Sequence, residues 1–312
     1  MDWSQILTPL FLMQLLAAGV TLATPLALAA LGEVFTERSG SINLGLEGIM
    51  LFCGFIGFYA SYQIGNPLIG ILGAVMMGAV MGLLFAFMTI TLHANQTVTG
   101  LSINFLGNGL APYFYRLAFK VPLDPPRVEP FPNVAIPILS DIPFIGNVLF
   151  NHSIFTYLMF LLVVVTFVII YKTPFGLRLN AVGESPQTAD TLGVNVGIVR
   201  YICVIIGGAL AGLAGAFYSL VELGSYSDSM INGRGFIASA LVIFGRWDPV
   251  WTFGGALLFG LIDALQNRLQ VLGSPIPSNF LQVMPYVMTI LVLLIGKIRK
   301  PPVALGIPYV RK

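Results

Sequence analysis

Four polar side chains occur in two pairs within largely apolar stretches of the sequence. Asn43 and Glu47 are four residues apart, and so are Asn104 and Asn108. Residues with this spacing lie on one face of a helix. Amides donate and accept hydrogen bonds, and carboxylates accept them. These pairs could therefore bind a polar solute, or they could join helices to one another.

The sequence contains no pattern that predicts catalysis, a metal site or nucleotide binding. It has no G-x-x-x-x-G-K-[ST] phosphate loop, no H-E-x-x-H, no C-x-x-C and no G-x-S-x-G. His93 and His152 stand alone, and Cys53 and Cys203 lie in apolar stretches, which is typical of small core residues. We therefore expect no enzyme activity and no cofactor on this chain. If ATP is used, another chain must bind it.

The composition excludes a soluble domain. Of 312 residues, 57% are hydrophobic and 28 (15 + 13) are charged. A soluble domain of this length would carry roughly 25% charged residues, or about 78. The net charge of +2 gives no reason to expect a nucleic-acid partner. The remaining class is an all-α polytopic membrane protein in the lipid bilayer.

Apolar segments of about 20 residues predict membrane-spanning helices. We expect about nine of them (eight to ten), of which 233–246 is short and must be extended or partly re-entrant. The predicted spans are 6–32, 44–62, 67–92, 98–119, 153–171, 198–222, 233–246, 250–268 and 281–298. The N-terminal apolar run lacks a basic start and is too long for a signal core, so we interpret it as a retained span.

Lysine and arginine predict the orientation, because they accumulate in cytoplasmic loops. The segment 172–200 and the C-terminal tail are rich in them, and an even number of predicted spans separates the two. Both should be cytoplasmic. The loop 120–150 and the N-terminus should then lie outside.

An internal repeat is visible at an offset of 182 residues. Asn66-Pro67 precedes Gly73-Ala74, Gly78 and Leu83, and Asp248-Pro249 precedes Gly255-Ala256, Gly260 and Leu265. The predicted orientation inverts one copy relative to the other, as in many transporters. We assign the first repeat to 6–119 and the second to 198–298. Gly, Ala and Pro recur by composition in any membrane bundle, but the shared offset favours a repeat.

The segment 172–197 is the longest polar cytoplasmic piece before the tail. Ser185 and Pro186 predict a helix start, and Gly193 predicts its end. Ala189 and Leu192 should share one face of this two-turn helix. It is too short to be stable alone. It either rests on its own bundle or docks a cytoplasmic partner.

Four strings resemble a known family over about 31–299. They are SGSINLGLEGIML, which starts at Ser39, NQTVTGLSINFLGNGL, which starts at Asn95, GLRLNAVGESPQTADTLGVNV, which starts at Gly176, and GRGFIASALVIFGRW, which starts at Gly233. The chain resembles permease subunits of bacterial ABC importers of the ribose, galactose and branched-chain amino acid branch. It is most similar to nucleoside-uptake permeases that work with a basic-membrane-protein type lipoprotein.

This resemblance implies a single permease domain, 1–312, in the bacterial cell membrane. It implies ATPase subunits that bind and use ATP, a second permease subunit, here a longer relative, and a substrate-binding lipoprotein outside. Ribose, another sugar or branched-chain amino acids are alternative substrates. The chain lacks one N-terminal span of ten-span members. A proton- or sodium-coupled secondary transporter, which would use Glu47 and Asp263, is a rival from another class.

The resemblance also implies roles for individual residues. The coupling region implied for the ATPase is 176–196, in which we single out Arg178, Gly183, Glu184, Ala189, Asp190 and Leu192. For a nucleoside pathway we single out Asn43, Glu47, Asn104, Asn108 and Phe105. Asn43 and Glu47 suit substrate contact and structure equally. For Asn104 and Asn108 we favour a role in the pathway, whereas an aromatic side chain such as Phe105 is more often a core or interface residue.

Two residues of the second repeat favour packing instead. Asn232 and Arg234 could lock the repeats together by hydrogen bonds and an ion pair with Asn43 and Glu47. A charge at the centre of a membrane helix costs roughly 2.5–3.5 kcal/mol, so it is usually paired or functional. The loop 120–150, with seven prolines, should form a stiff outer cap or a docking surface for the lipoprotein.

Overall fold

A computed structural model describes residues 8–120, 124–137, 139–272, 277–295 and 300–310. In this part of the chain, twelve α-helices and one pair of two-residue strands are found. The helices are α1 (Pro9–Arg38), α2 (Leu46–Ile64), α3 (Pro67–Ala86), α4 (Gln96–Phe119), α5 (Ile145–Leu149), α6 (Ile154–Lys172), α7 (Pro174–Glu184), α8 (Pro186–Thr191), α9 (Val196–Phe217), α10 (Arg234–Phe244), α11 (Pro249–Val271) and α12 (Ser278–Ile295). The strands β1 (Val134–Ala135) and β2 (Asn151–His152) pair antiparallel in the predicted outer loop.

Five of the helical segments are long and apolar enough to cross a membrane. They are Pro9–Arg38, Pro67–Thr91, Ile154–Lys172, Val196–Glu222 and Pro249–Val271, and two of them end in a π-helical turn. The other predicted spans overlap α2, α4, α10 and α12, and residues 296–298 of the last span lie outside the described residues. The helix α10 has only 11 residues and follows an irregular stretch, as the short apolar run 233–246 predicts.

Local signals explain where the long helices begin. The side chains of Thr8, Asn66 and Asp248 each accept a hydrogen bond from a backbone N–H in the first turn, and a proline follows each of them. Such caps satisfy amides that have no partner inside the helix. Proline fits the first helical position, where no N–H is needed.

Glycines allow the central helices to touch along their backbones. A Cβ added to Gly78 of α3 would lie 2.2 Å from the carbonyl oxygen of Gly208 in α9, and one added to Gly260 of α11 would lie 2.3 Å from that of Gly19 in α1. No side chain fits at such distances. Small residues at helix contacts are typical of membrane bundles, which gain stability from close packing.

The same contacts give the relative direction of the helices. Gly82 of α3 faces Val204 of α9, whereas Gly70 of α3 faces Leu220, so these two helices are antiparallel. The helices α1 and α11 are also antiparallel, since Gln14 bonds Arg268 and Ala23 lies against Gly260. By contrast, α2 and α4 run parallel, with contacts from Gly45–Gly100 to Phe58–Phe119.

The segment 172–197, predicted to be cytoplasmic, contains one helix more than the sequence predicted. In addition to α8, the helix α7 occupies Pro174–Glu184, and the side chain of Thr173 caps it by accepting from the N–H of Gly176. The predicted end of α8 is correct, because Gly193 adopts a left-handed φ of 83°. Ser185 stands at the predicted start, but its hydroxyl bonds that of Thr188 and not a backbone amide.

The described part of the tail, 300–310, folds back on this segment. The N–H of Ala304 donates to the carbonyl of Gly183, and that of Gly306 donates to the carbonyl of Gly40. The guanidinium of Arg200 donates to the carbonyl oxygens of Ser39 and Ile307. The tail therefore joins the ends of α1 and α7 to the start of α9, a connection that the sequence did not predict.

Candidate translocation pathway and coupling surface

Glu47 joins α2 to the start of α10. Its side chain is buried, and its two carboxylate oxygens accept from the N–H groups of Gly233 and Gly235, each at 2.7 Å. Amides at a helix start have no partner within the helix and attract negative charge. This carboxylate therefore holds the irregular stretch before α10 against the start of α2.

Asn43 has local partners. It is almost fully buried, its side-chain oxygen accepts from the N–H of Gly45 at 2.9 Å, and its own N–H donates to Glu33 at 3.1 Å. These bonds fold the turn between α1 and α2. The expected contact of Asn43 with the second repeat is absent from the hydrogen bonds of the described residues.

Arg234 is paired with acidic groups other than Glu47. Its guanidinium lies 3.8 Å from Asp263 and 4.0 Å from Glu222, and it stacks 5.1 Å from the centre of the Tyr218 ring. The structural role expected for Arg234 fits this geometry. The expected ion pair with Glu47 was wrong, because Arg234 pairs with Asp263 and Glu222 instead. Asp263 and Glu47 are not free carboxylates either, which removes the feature that favoured a proton-coupled carrier.

Asn232 contributes through its backbone. It is exposed, and its φ of 46° is in the left-handed region, which asparagine tolerates better than most residues. Gly233, which follows it, also has a positive φ, of 83°. The two residues turn the chain so that the next amides point at Glu47.

Asn104 and Asn108 bond to each other on α4. The amide nitrogen of Asn108 donates to the backbone oxygen of Asn104 at 2.9 Å and to its side-chain oxygen at 2.6 Å. Asn104 is buried against Gly48 of α2, whereas Asn108 is exposed. The two amides therefore satisfy part of each other's hydrogen bonding within one turn of α4.

An exposed face of α4 carries the polar groups that the bundle does not cover. Phe105 on this helix is 74% exposed, which rules out a core position for it within this chain. Further along, a groove of about 570 Å³ is lined by Asn108, Gly109, Pro112, Tyr113, Arg116 and Leu117. Arg116 lies at its end, 3.6 Å from Asp228. Hydrocarbon cannot satisfy such groups, so this face requires water or another protein surface.

The residues predicted to couple to an ATPase divide into exposed and buried ones. Arg178, Glu184 and Leu192 are exposed, and Leu192 is 79% exposed. Ala189 is only 2% exposed and belongs to the core, so it shares no exposed face with Leu192, against our expectation. Asp190 is partly buried.

Gly183 is buried at a contact with α1. A Cβ there would lie 2.0 Å from the carbonyl oxygen of Arg38. Only glycine permits this approach of α7 to the end of α1. Gly183 thus positions the predicted coupling segment against α1 and is not part of its exposed surface.

A hydrogen-bonded group under α7 was missed by the sequence analysis. Arg38, at the end of α1, donates to the carbonyl of Trp247 at 2.6 Å, to Asn180 at 3.0 Å and to the hydroxyl of Tyr171 at 2.6 Å. The indole of Trp247 donates to Glu37. These residues are up to 210 positions apart, so no sequence spacing could have revealed the group.

No catalytic or metal-binding cluster emerges from the described ranges. They contain no group of three or more His, Cys, Asp or Glu side chains that could hold a metal ion. His152 has ordinary partners: it bonds Thr21 through Nδ1 and the carbonyl of Val148 through Nε2. Burial lowers the pKa of His152.

Comparison with known proteins gives the family. Residues 15–293 match the family described as branched-chain amino acid transport system / permease component. The chain is 38% identical over 305 residues to the guanosine ABC transporter permease protein NupQ of Bacillus subtilis, covering 94% of this chain and 95% of that one. It is 36% identical over 317 residues to the nucleoside ABC transporter permease protein NupC of Lactococcus lactis, covering 96% and 98%.

Two further similarities concern substrate range and fold. The chain is 37% identical over 316 residues to a putative glucose ABC transporter permease protein, TsgC13, of Haloferax volcanii, covering 94% of each. A solved inward-facing structure of a putative metal-chelate type ABC transporter matches with a TM-score of 0.53 and 16% identity, covering 89% of this chain and 84% of that one. This likeness concerns the fold alone.

These findings agree with the helical bundle and with the resemblance seen in the sequence. The chain is a multi-pass membrane protein and is not itself an ATPase. A subunit of this kind works with an ATPase, which uses the ATP, and with a binding protein. The chain belongs to the branched-chain amino acid transport permease family and is a membrane-spanning permease subunit of an ABC importer.

Proposed function

We propose that this permease subunit translocates nucleosides. The observation that carries the proposal is the 36–38% identity to permeases named for guanosine and for nucleosides, over at least 94% of the chain. The polar face of α4 supports it, because Asn108 offers an amide and Phe105 and Tyr113 offer rings. Amides can bond ribose hydroxyls and base edges, and aromatic rings can stack on bases.

Glucose is the second candidate, because a putative glucose permease is 37% identical. Uptake of labelled guanosine, adenosine, cytidine and glucose should be measured in proteoliposomes that contain this chain with its ATPase, binding protein and second permease. ATP-dependent nucleoside uptake supports the proposal. Glucose uptake without nucleoside uptake would reassign the substrate, and ATP-independent uptake by the chain alone would indicate a secondary transporter.

The proposed architecture is nine membrane-crossing segments that contain an inverted repeat. The crossing segments are α1, α2, α3, α4, α6, α9, α10, α11 and α12. The third helix of each repeat packs antiparallel against the first helix of the other, namely α3 on α9 and α11 on α1. The repeated glycines Gly78 and Gly260 make the corresponding contacts. Such reciprocal packing is what a two-fold axis in the membrane plane requires.

Labelling tests the orientation that this architecture implies. Asn133 in the outer loop and Glu184 at the end of α7 are both exposed, so cysteines placed there are accessible. We expect Asn133→Cys to react with an impermeant reagent from outside, and Glu184→Cys only after the cytoplasmic side is opened. Reaction of both from the same side would exclude the inverted arrangement.

A second permease subunit is proposed to complete the pathway at α4. The exposed polar face of α4, from Asn108 to Arg116, would then face a central aqueous space and not lipid. This arrangement removes the cost of polar groups in hydrocarbon. We infer that the partner is a longer relative, as first expected.

Two further surfaces are assigned to partners. We assign the exposed residues Arg178, Glu184 and Leu192 of the coupling segment to the ATPase, with Leu192 as the apolar contact. The outer loop is assigned to the binding protein. Backbone bonds from Val128 to Gly224 and from Phe131 to Leu220 hold it on the end of α9, so docking would order little additional chain.

A further inference from the structure

A second, basic cavity lies at the predicted cytoplasmic ends of the helices, away from the α4 groove. It has a volume of about 220 Å³, and eight residues from five parts of the chain line it. They are Arg38, Tyr171, Asn180, Glu184, Arg246, Trp247, Lys300 and Pro302. Three of these side chains are cations and one is a carboxylate, so their formal charges sum to +2 (3 − 1).

Arg38 is a buried cation that forms no direct ion pair with the described residues. It is 8% exposed, and its three hydrogen-bond acceptors, in Trp247, Asn180 and Tyr171, are all neutral. In the described residues, no carboxylate oxygen lies within 4.0 Å of its guanidinium nitrogens. A guanidinium buried in this way is unfavourable unless an anion joins it.

The nearest carboxylates are held by other partners. Glu37 accepts from the indole of Trp247, and Asp248 accepts from the hydroxyl of Tyr171 with one oxygen and from the amides of Val250 and Trp251 with the other. The remaining carboxylate, Glu184, is exposed at the edge of the cavity. The cavity therefore keeps an excess of donors for an anion.

The turn that carries Arg246 is strained. Arg246 and Trp247 have φ values of 57° and 58°, a left-handed conformation that is unfavourable for residues with bulky side chains. This conformation directs the carbonyl of Trp247 to Arg38. Backbone strain of this kind persists where the surrounding structure fixes it, and it is concentrated at binding sites.

An apolar surface leads from the bilayer to the cavity. On α6, Val164 is 59% exposed, and the exposed ring of Phe167 lies 5.0 Å from that of Tyr171, which lies 5.0 Å from the guanidinium of Arg38. Trp251, 66% exposed, lies in the first turn of α11. Tryptophan and tyrosine are enriched at the membrane–water interface, so the cavity lies at headgroup level.

We infer that this cavity binds the phosphate group of an anionic phospholipid, whose acyl chains lie along the exposed side chains of α6. Basic pockets between membrane helices at the cytoplasmic face are suited to such headgroups. Each nitrogen of Arg38 already donates one hydrogen bond, so two of its five N–H groups (5 − 3) remain for a phosphate, and Arg246 and Lys300 line the same cavity. This inference is independent of which solute the permease carries.

Native mass spectrometry of the transporter assembled with its ATPase tests this inference. Phosphatidylglycerol and phosphatidylcholine are offered to the transporter in equal amounts. We expect preferential retention of phosphatidylglycerol, and a loss of about 25-fold in the double variant Arg246→Gln/Lys300→Gln, since each cation near the surface contributes about fivefold. Both side chains are exposed, so the substitutions leave the packing intact.

Lys172→Gln is the matched control, because Lys172 is an exposed cation on the same end of α6 but does not line the cavity. Its retention of phosphatidylglycerol should stay within about twofold of the parent. Equal retention by the parent and the double variant would overturn the inference. Displacement of the lipid by inorganic phosphate alone would assign the site to free phosphate. Retention only after removal of the ATPase would assign the site to an acidic group of that partner.

Discussion

The polar groups at the start of α10 and those on α4 differ in how far the bundle covers them. Around α10, Glu47 bonds two backbone amides and Arg234 faces Glu222 and Asp263, all within this chain. On α4, Asn108 and Arg116 are exposed on a helix that the sequence predicts to cross the membrane. A polar group satisfied inside the bundle stabilises the fold, whereas one left exposed in a membrane helix indicates a surface that water or another subunit must complete.

The largest loss of stability is expected at Glu47. In Glu47→Leu, two amides at the start of α10 lose their acceptor, which costs about 2–5 kcal/mol. We expect low yield of folded protein and a lower melting temperature in detergent, measured by fluorescence-detected size exclusion after heating. Glu47→Gln, which keeps one acceptor oxygen, should recover part of the loss. A Glu47→Leu variant with parental stability would remove the structural role.

A large loss of transport with little loss of stability is expected at Asn108. In Asn108→Leu, the buried Asn104 loses a donor, and the exposed face of α4 loses an amide. Nucleoside uptake should fall at least tenfold, while the free energy of unfolding changes by about 1 kcal/mol or less. Leu106→Ala on another exposed part of α4 serves as the control for packing. Equal transport by Asn108→Leu and the parent would exclude this amide from the pathway.

Substitutions at exposed and at buried positions of the coupling segment should also have different effects: the former on ATPase binding, the latter on folding. Leu192→Asp places a charge at an apolar contact and should weaken co-purification of the ATPase by about tenfold, without changing thermal stability. Ala189→Arg forces a charge into the core and should instead reduce the yield of folded chain. If Leu192→Asp retains the ATPase and substrate-stimulated hydrolysis at parental levels, the coupling surface lies elsewhere.

The smallest effect is a pH dependence that arises at His152. Burial lowers its pKa, so the folded chain binds fewer protons there than the unfolded chain. The contribution of His152 to the free energy of unfolding should therefore be fully present above the ordinary histidine pKa of about 6.5. It should decline as the pH falls below that value. Melting temperatures at pH 8 and pH 5 test this point. His152→Gln should show a smaller decline, and an identical decline would place the titrating group elsewhere.

Hydropathy was sufficient to predict the long helices, because a membrane span must be apolar over about 20 residues. It could not predict α7, in which apolar and polar residues are mixed, although Thr173 and Pro174 are a start signal that could have revealed this helix. Spacing placed Ala189 and Leu192 on a helix but could not tell which side the bundle covers. That depends on contacts between distant segments.

The candidate site was predictable to a similar extent. The four polar residues Asn43, Glu47, Asn104 and Asn108 were conspicuous because they interrupt apolar stretches. Their partners were not, since Glu47 meets amides that are 186 and 188 positions away. Backbone amides leave no mark in a sequence. The basic cavity around Arg38 was missed for the same reason, because it is assembled from five distant parts of the chain.

In the proposed assembly, the exposed face of α4 borders an aqueous pathway. Asn108→Cys in the assembled transporter tests this arrangement, because the native Cys53 and Cys203 are buried. We expect a charged, membrane-impermeant thiol reagent to modify this cysteine and nucleoside to slow the reaction. Val164→Cys, on the exposed apolar side of α6 that we assign to lipid, should remain unmodified. Failure of Asn108→Cys to react, or a reaction rate that nucleoside does not change, would contradict the claim.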